Sequence, residues 1–305
     1  MSSILSDKHF HDETAAYAWV EARVWPDGPV CPHCGGYERI SKMKGSSTRI
    51  GAYKCYQCRK PFTVKVGTVF ESSHVKLHLW LQAMFLLSSG KKGVSSNQLH
   101  RVLGVTLKTA WFMSHRIREA MRDVGLTSMG SGGGVVEADE TYIGRRYKSR
   151  KVTGTSHKMA LVSMIERGGS VRSVKIDRVT KIQISKIINE NVAREAKLMT
   201  DSAPYYQRKA LDVASHDTVN HAANEYVRGE VHTNTVEGFY SIFKRGMKGV
   251  YQHCAEKHLH RYAAEFDFRY NSRVAHGVND EMRTERAVKG ILGKRLTYRT
   301  TSGRA

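Results

Sequence analysis

Val135-Val-Glu-Ala-Asp-Glu-Thr-Tyr-Ile143 decides how this chain is read. Its valine, threonine, tyrosine and isoleucine favour a strand, yet three acids interrupt it, at Glu137, Asp139 and Glu140. Strand alternation puts Glu137, Asp139 and Thr141 on one face and Glu140 on the other. Carboxylates on a central strand are costly unless cations or donors meet them. A bound metal ion is the simplest account of such a strand.

Downstream, Met159 to Glu166 and Val171 to Asp177 flank the turn Arg167-Gly-Gly-Ser170 and predict a hairpin beside the first strand. Lys181 to Val192 has helical spacing at Ile184, Ile187 and Ile188. Ala196-Lys-Leu-Met-Thr200 predicts a short strand that ends directly in Asp201, and a carboxylate at a strand exit lies where open α/β sheets place their sites. His232-Thr-Asn-Thr-Val-Glu-Gly-Phe-Tyr-Ser-Ile-Phe-Lys-Arg245 predicts a helix packed through Val236, Phe239, Tyr240 and Phe243. Glu237 and Lys244 share one face of it, two turns apart, and Asn234 could supply a neutral oxygen nearby. Leu259 to Asn271 predicts a further helix whose aromatic residues pack on the core. The tail after Arg286 is basic and is expected to be loosely ordered.

Upstream, Ser128-Met-Gly-Ser-Gly-Gly-Gly134 predicts a flexible linker. Before it, Leu77, Trp80, Leu81, Met84 and Phe85 begin a helical segment. A second helix follows Ser95 and Ser96, carries Leu99, Val102 and Leu103 on one face, and stops at Gly104. Thr106 caps a third, with Ala110, Trp111, Met113, Ile117 and Met121 inward. Its other face would offer Lys108, Thr109, Ser114, His115, Arg116 and Arg118 to DNA in the manner of a helix-turn-helix.

Four of the five cysteines form two Cys-x-x-Cys pairs, Cys31/Cys34 and Cys55/Cys58. That spacing predicts one structural four-thiolate Zn²⁺ site. A redox dithiol needs only one pair, and disulfides do not persist in a reducing cytosol. Pro61 to Phe70 alternates like a strand and would complete a ribbon ending near Phe70. Cys254 stands alone and is most simply a small buried or half-buried residue.

Lysine and arginine number 49 against 28 acids, a formal charge of +21, so polyanions are the natural partners. Arg145 to Lys151 and Lys244 to Lys248 are candidates for phosphate contact. Met1 to Asp12 is polar and lacks the apolar stretch of a secretory signal. Leu77 to Leu87, the longest apolar run, is too short to span a bilayer. The expectation is therefore a protein that stays in the cytoplasm, with no membrane segment.

The motifs Val136-Glu-Ala-Asp-Glu-Thr-Tyr-Ile-Gly144, Thr200-Asp-Ser202 and Asn234-Thr-Val-Glu-Gly-Phe-Tyr-Ser-Ile-Phe-Lys244 resemble those of bacterial insertion-sequence DDE transposases. The likeness is to the branch with an N-terminal zinc ribbon, over roughly residues 15 to 275. It implies an α/β chain with a ribonuclease H-like catalytic core, a mixed sheet with flanking helices, preceded by the ribbon and the helix-turn-helix-like segment. The expected parts are 1–70 (N-terminal segment and ribbon), 71–127 (helical DNA-binding segment), 128–134 (linker), 135–280 (catalytic domain) and 281–305 (basic tail).

By the same resemblance Asp139, Asp201 and Glu237 are the triad that holds two Mg²⁺ or Mn²⁺ ions, and Lys244 holds a DNA phosphate. Members of this branch can carry asparagine as the third ligand, so Asn234 competes with Glu237. Glu237 is preferred because a third negative ligand holds a hard cation better. The implied activity cleaves element ends and joins the 3′-hydroxyl to target DNA by two-metal phosphoryl transfer. The implied partners are double-stranded DNA, as terminal repeats and target, and further copies of the chain in a dimer or larger assembly near the bacterial nucleoid. Two other readings stay open: a non-catalytic zinc-ribbon regulator derived from such an enzyme, and a metal-dependent nuclease that cuts without joining.

Overall fold

In the computed structural model, which describes residues 3–123, 127–206 and 208–297, the chain divides into two compact units. Residues 1–122 form one together with 277–305, and Asp123–His276 form the other.

The first unit opens with α1 (Glu13–Val24), which the sequence reading did not foresee. Asp12 caps it by accepting from the Ala15 amide at 2.7 Å. Three short strands follow, β1 (Ile40–Lys42), β2 (Tyr53–Cys55) and β3 (Pro61–Phe62), paired antiparallel in that order. The strand expected to run on to Phe70 stops at Phe62. Val66 N–H turns back to the Thr63 carbonyl at 3.0 Å, and Val64, Val69 and Phe70 are buried without any strand partner.

α2 (Leu77–Ser89), α3 (Ser96–Leu103) and α4 (Leu107–Met121) match the expected helical segment. Ser95 and Thr106 cap α3 and α4, and Gly104 ends α3 at φ 64°. No side chain of its own caps α2. Glu13 does so from α1, accepting from the Leu77 and His78 amides at 2.8 and 3.2 Å. The polar face of α4 is a correction. Ser114, His115, Arg116 and Arg118 are buried, so they do not face DNA as expected. Arg116 donates to the carbonyls of Val69, Glu71 and Leu296 at 2.8–3.0 Å. Val102, expected on the inward face of α3, is exposed.

In the second unit β4 (Val135–Ile143), β5 (Met159–Glu166), β6 (Val171–Ile176), β7 (Lys197–Asp201) and β8 (Ser215–Val219) form one sheet in the order β6-β5-β4-β7-β8. β4, β5 and β6 pair antiparallel, whereas β7 and β8 run parallel to β4. This mixed sheet with flanking helices is ribonuclease H-like. α5 (Lys181–Asn191) covers the face of Ala138, Ala160 and Val162. β9 (Val227–Arg228) and β10 (Val231–His232) form a small hairpin. α6 (Asn234–Gly246) and α7 (Leu259–Asn271) cover the other face, where Phe239, Phe243 and Phe266 meet Leu161 and Ile165.

The stretch 128–134, expected as a free linker, is packed onto this unit. Met129 is buried and bridges Val192, and the Gly130 amide donates to Glu166 at 3.1 Å. Gly130 sits at φ +75°, and a Cβ there would lie 2.6 Å from that of Ala196.

The chain then re-enters the first unit as α8 (Asp280–Lys289), within the segment expected to be a loose tail. Arg283 donates to the Ser88 carbonyl at 3.0 Å, and the Gly290 backbone approaches Ala120 so closely that a Cβ would meet its carbonyl oxygen at 2.3 Å. Buried Ala287, Val288 and Ile291 account for the order that its charge concealed. Among the described residues no helix is long and apolar enough to cross a membrane.

Candidate active site and zinc centre

The four thiols of the ribbon converge. Cys31 and Cys58 sulfurs are 3.6 Å apart, Cys34 and Cys55 3.7 Å, and all four lie within 4.8 Å of one another. A tetrahedral zinc ion with bonds of about 2.3 Å spaces its sulfurs by roughly 3.8 Å. The residues therefore fit the ion, and the separations are far beyond a disulfide bond. Gly35 and Arg59, each directly after a cysteine pair, take the left-handed conformation at φ 73° and 60° that turns the two knuckles. Behind them Trp25, Tyr53 and Phe62 pack edge-to-face and stacked.

The predicted acids lie on three elements of the other unit. Asp139 is in the middle of β4, Asp201 ends β7, and Glu237 is in the first turn of α6. Because β7 runs parallel to β4 with Met199 opposite Glu137, the two acids that follow, Asp201 and Asp139, stand at the same level on neighbouring strands. The three are close enough to feel one another's charge. Burial, then Glu140, Asp201 and Glu237, push the Asp139 carboxyl up to about 8. Burial raises Asp201 too, with Glu237 adding to the effect and the Ala203 amide opposing it. Neither Asp139 nor Asp201 has an ion-pair partner among the described residues. Half-buried carboxylates held together without a cation are a donor set of hard oxygens suited to a divalent ion. They are not drawn as tightly together as the thiols, which are the only group of ligand atoms within 4.8 Å of one another among the described residues.

Glu237 is steadied by the Thr233 hydroxyl at 2.9 Å and lies 3.4 Å from His221. Asn234, the first residue of α6, is exposed. Lys244 lies farther along the helix with Nζ 5.9 Å from the Tyr240 ring, and Tyr240 donates its hydroxyl to the Asp139 carbonyl at 2.6 Å.

The other two acids of β4 have structural partners that the sequence did not disclose. Glu137 is fully buried. It accepts from the Thr235 amide and hydroxyl, both at 2.8 Å, from the Val236 amide at 3.1 Å and from Arg167 at 2.7 Å. A strand carboxylate thus caps the positive N-terminal end of α6 and ties the helix of Glu237 to the strand of Asp139. Arg167, read as a turn residue, also donates to the Glu230 and His232 carbonyls at 2.8 and 3.1 Å. On the opposite face Glu140 accepts from the Tyr205 hydroxyl and, at 3.1 Å, from that of Tyr206. These tyrosines belong to the loop after Asp201, so Glu140 fixes the loop. Burial raises its carboxyl and the Tyr205 phenol opposes that rise. The signal for both roles was the run of three acids; their partners are too far away in sequence to be read.

Comparison with known proteins agrees with this arrangement. Residues 132–271 match the ISXO2-like transposase domain, and residues 11–61 match the transposase zinc-ribbon domain. An uncharacterized protein in transposable element ISH50 of Halobacterium salinarum is 27% identical over 238 residues, covering 72% of this chain and 78% of its own. A pre-cleavage Mos1 transpososome crystal structure covers 65% of this chain and 78% of its own at 14% identity, with a TM-score of 0.21, too low to add to the family match. With both domains matched in order on one chain, the protein belongs to the insertion-sequence transposases that carry an N-terminal zinc ribbon before an ISXO2-like transposase domain.

Proposed function

We propose that this chain cuts the ends of its insertion sequence and joins the freed 3′-hydroxyls to target DNA, with Asp139, Asp201 and Glu237 holding two divalent cations. The observation that carries the reading is the set of three carboxylates from β4, β7 and α6, close enough that Asp201 and Glu237 raise the Asp139 carboxyl, with no lysine or arginine paired to any of them among the described residues. Two Mg²⁺ or Mn²⁺ ions, when bound, would supply activation of the attacking hydroxyl and stabilisation of the leaving oxygen.

The protein's own groups do the rest. Glu137 holds the first turn of α6 against β4, which sets Glu237 relative to Asp139. Thr233 orients the Glu237 carboxylate, and this hydrogen bond favours Glu237 over Asn234 as third ligand. Lys244, on the same helix, neutralises a phosphate of the bound strand. The excess of 49 basic over 28 acidic residues draws in double-stranded DNA, and the ribbon and helical segment contribute contacts to it. Two element ends handled together call for at least two copies of the chain. The protein works where the DNA is, in the cytoplasm beside the nucleoid, and its ribbon holds one structural zinc ion.

Joining of labelled element-end DNA to a plasmid in Mg²⁺ or Mn²⁺ tests this. Asp139→Ala, Asp201→Ala and Glu237→Ala should each lose more than the roughly 10–100-fold that outer partners of a metal site cost, while Asn234→Ala retains product. Loss with Asn234→Ala and retention with Glu237→Ala would move the third ligand to Asn234. Wild type that binds the native ends without cutting would make the chain a regulator, and cutting without joining would make it a nuclease.

A further inference from the structure

A cleft of about 420 Å³ opens on the face of the sheet away from α6, opposite to the face that carries Asp139. Tyr142, on β4 three residues beyond Asp139, forms one wall, at about 10 Å along the strand from that carboxylate. Tyr205 donates to Glu140, the neighbour of Asp139 on β4. Cleft and acid site therefore lie on opposite faces of one strand, β4.

Arg146, Lys158 and Arg178 line the cleft with a single acid, Asp177. That acid is bound by Lys175, and Arg146 faces Glu256 at 3.4 Å. Lys158 and Arg178 have no ion-pair partner among the described residues. Two unmatched positive charges thus remain in a recess that also presents the Tyr142 ring and Val179. An ordinary surface of this basic protein would place such charges on a convex face, where a duplex reaches them. A recess of this volume is in the range that holds a small organic group, is larger than a lone phosphate needs, and cannot admit a double helix.

We propose that the cleft takes one nucleotide of the DNA strand that runs from the reacting phosphate around the edge of the sheet, unstacked from its neighbours. Its phosphate lies on Lys158 and Arg178 and its base against Tyr142 and Val179. Unstacking costs least where the strand is already unpaired, so the site favours DNA with a short single-stranded end. The inference rests on the reading of this chain as a DNA strand-joining enzyme.

The test uses the full chain in Ca²⁺ with a short duplex, either blunt or carrying a three-nucleotide overhang that contains 2-aminopurine. Separate 3′ and 5′ overhangs identify the strand. The expected result is overhang DNA bound about tenfold more tightly than blunt DNA, with a change in 2-aminopurine emission on binding. Combined Lys158→Ala and Arg178→Ala substitutions should remove that preference and leave blunt-duplex binding within about twofold. A preference absent from wild type, or intact in the double variant, overturns the proposal. Equal weakening of both DNAs overturns it too, by reducing the cleft to general basic surface. Failure of the transposase reading would appear elsewhere, in the joining assay of the wild type, since this measurement reads binding alone.

Discussion

Asp139 and Glu137 stand two residues apart on one strand and have opposite fates. Asp139 has no cation partner among the described residues, whereas Glu137 is enclosed by two amides, a hydroxyl and a guanidinium. Truncating Glu137 would strip two amides at a helix end of their acceptor and leave Arg167, itself only 22% exposed, without its counter-charge. Glu137→Ala should therefore destabilise the acid-bearing unit by about 3 kcal/mol. Glu137→Gln, which keeps an acceptor for the amides, should cost less. Urea unfolding followed by circular dichroism measures both, and an alanine variant as stable as wild type would show that the contacts contribute nothing net.

Between elements, the junction of α7 with β6 is made by a half-buried carboxylate. Asp267 accepts from the Ser173 amide and hydroxyl at 2.8 and 2.7 Å. Burial raises its pKa to about 7 against those two hydrogen bonds, with Asp123 adding to the rise and Arg172 opposing it. A folded-state value above the unfolded one of 3.8 means that the native state holds its proton longer. Stability from this group is complete below the unfolded value and is lost as pH rises to about 7. Thermal midpoints of the second unit should fall between pH 4 and pH 7, and Asp267→Asn should flatten part of that slope; an unchanged slope would refute the assignment. Elements such as β4, the β5–β6 hairpin, α6 and α7 were legible because their own apolar spacing declares them. β8 was not, since Ser215-His-Asp-Thr-Val219 buries only its last residue and is a strand solely through pairing with β7. Buried Arg116 and Arg118 misled for a related reason: charge suggests solvent, and the carbonyls that receive Arg116 come from distant residues. For the proposed site, the three acids were singled out by the resemblance of the motifs that carry them. The clamp of Glu137 could not be read, because Arg167 and His232 meet it only in the folded chain.

At the scale of the molecule, two units have separate sources of stability. The acid-bearing unit has apolar layers on both faces of its sheet, while the ribbon's cluster is small and built around its cysteines. A bound zinc ion supplies folding energy of order 10 kcal/mol in modules of this kind. Chelation should release about one zinc per chain, disturb the near-ultraviolet signal of Trp25 and Tyr53, and leave the calorimetric transition of the second unit unshifted. A stripped protein with an unchanged near-ultraviolet spectrum would mean that the ribbon holds its shape without metal. The first unit is also discontinuous: the chain leaves it at Arg122 and returns at Gly277, with α8 supplying part of its core. During synthesis, domains fold as they emerge from the ribosome. The inserted unit can thus reach its native state while its host still lacks a helix, so a nascent chain acquires its acid cluster before its ribbon-bearing unit is complete.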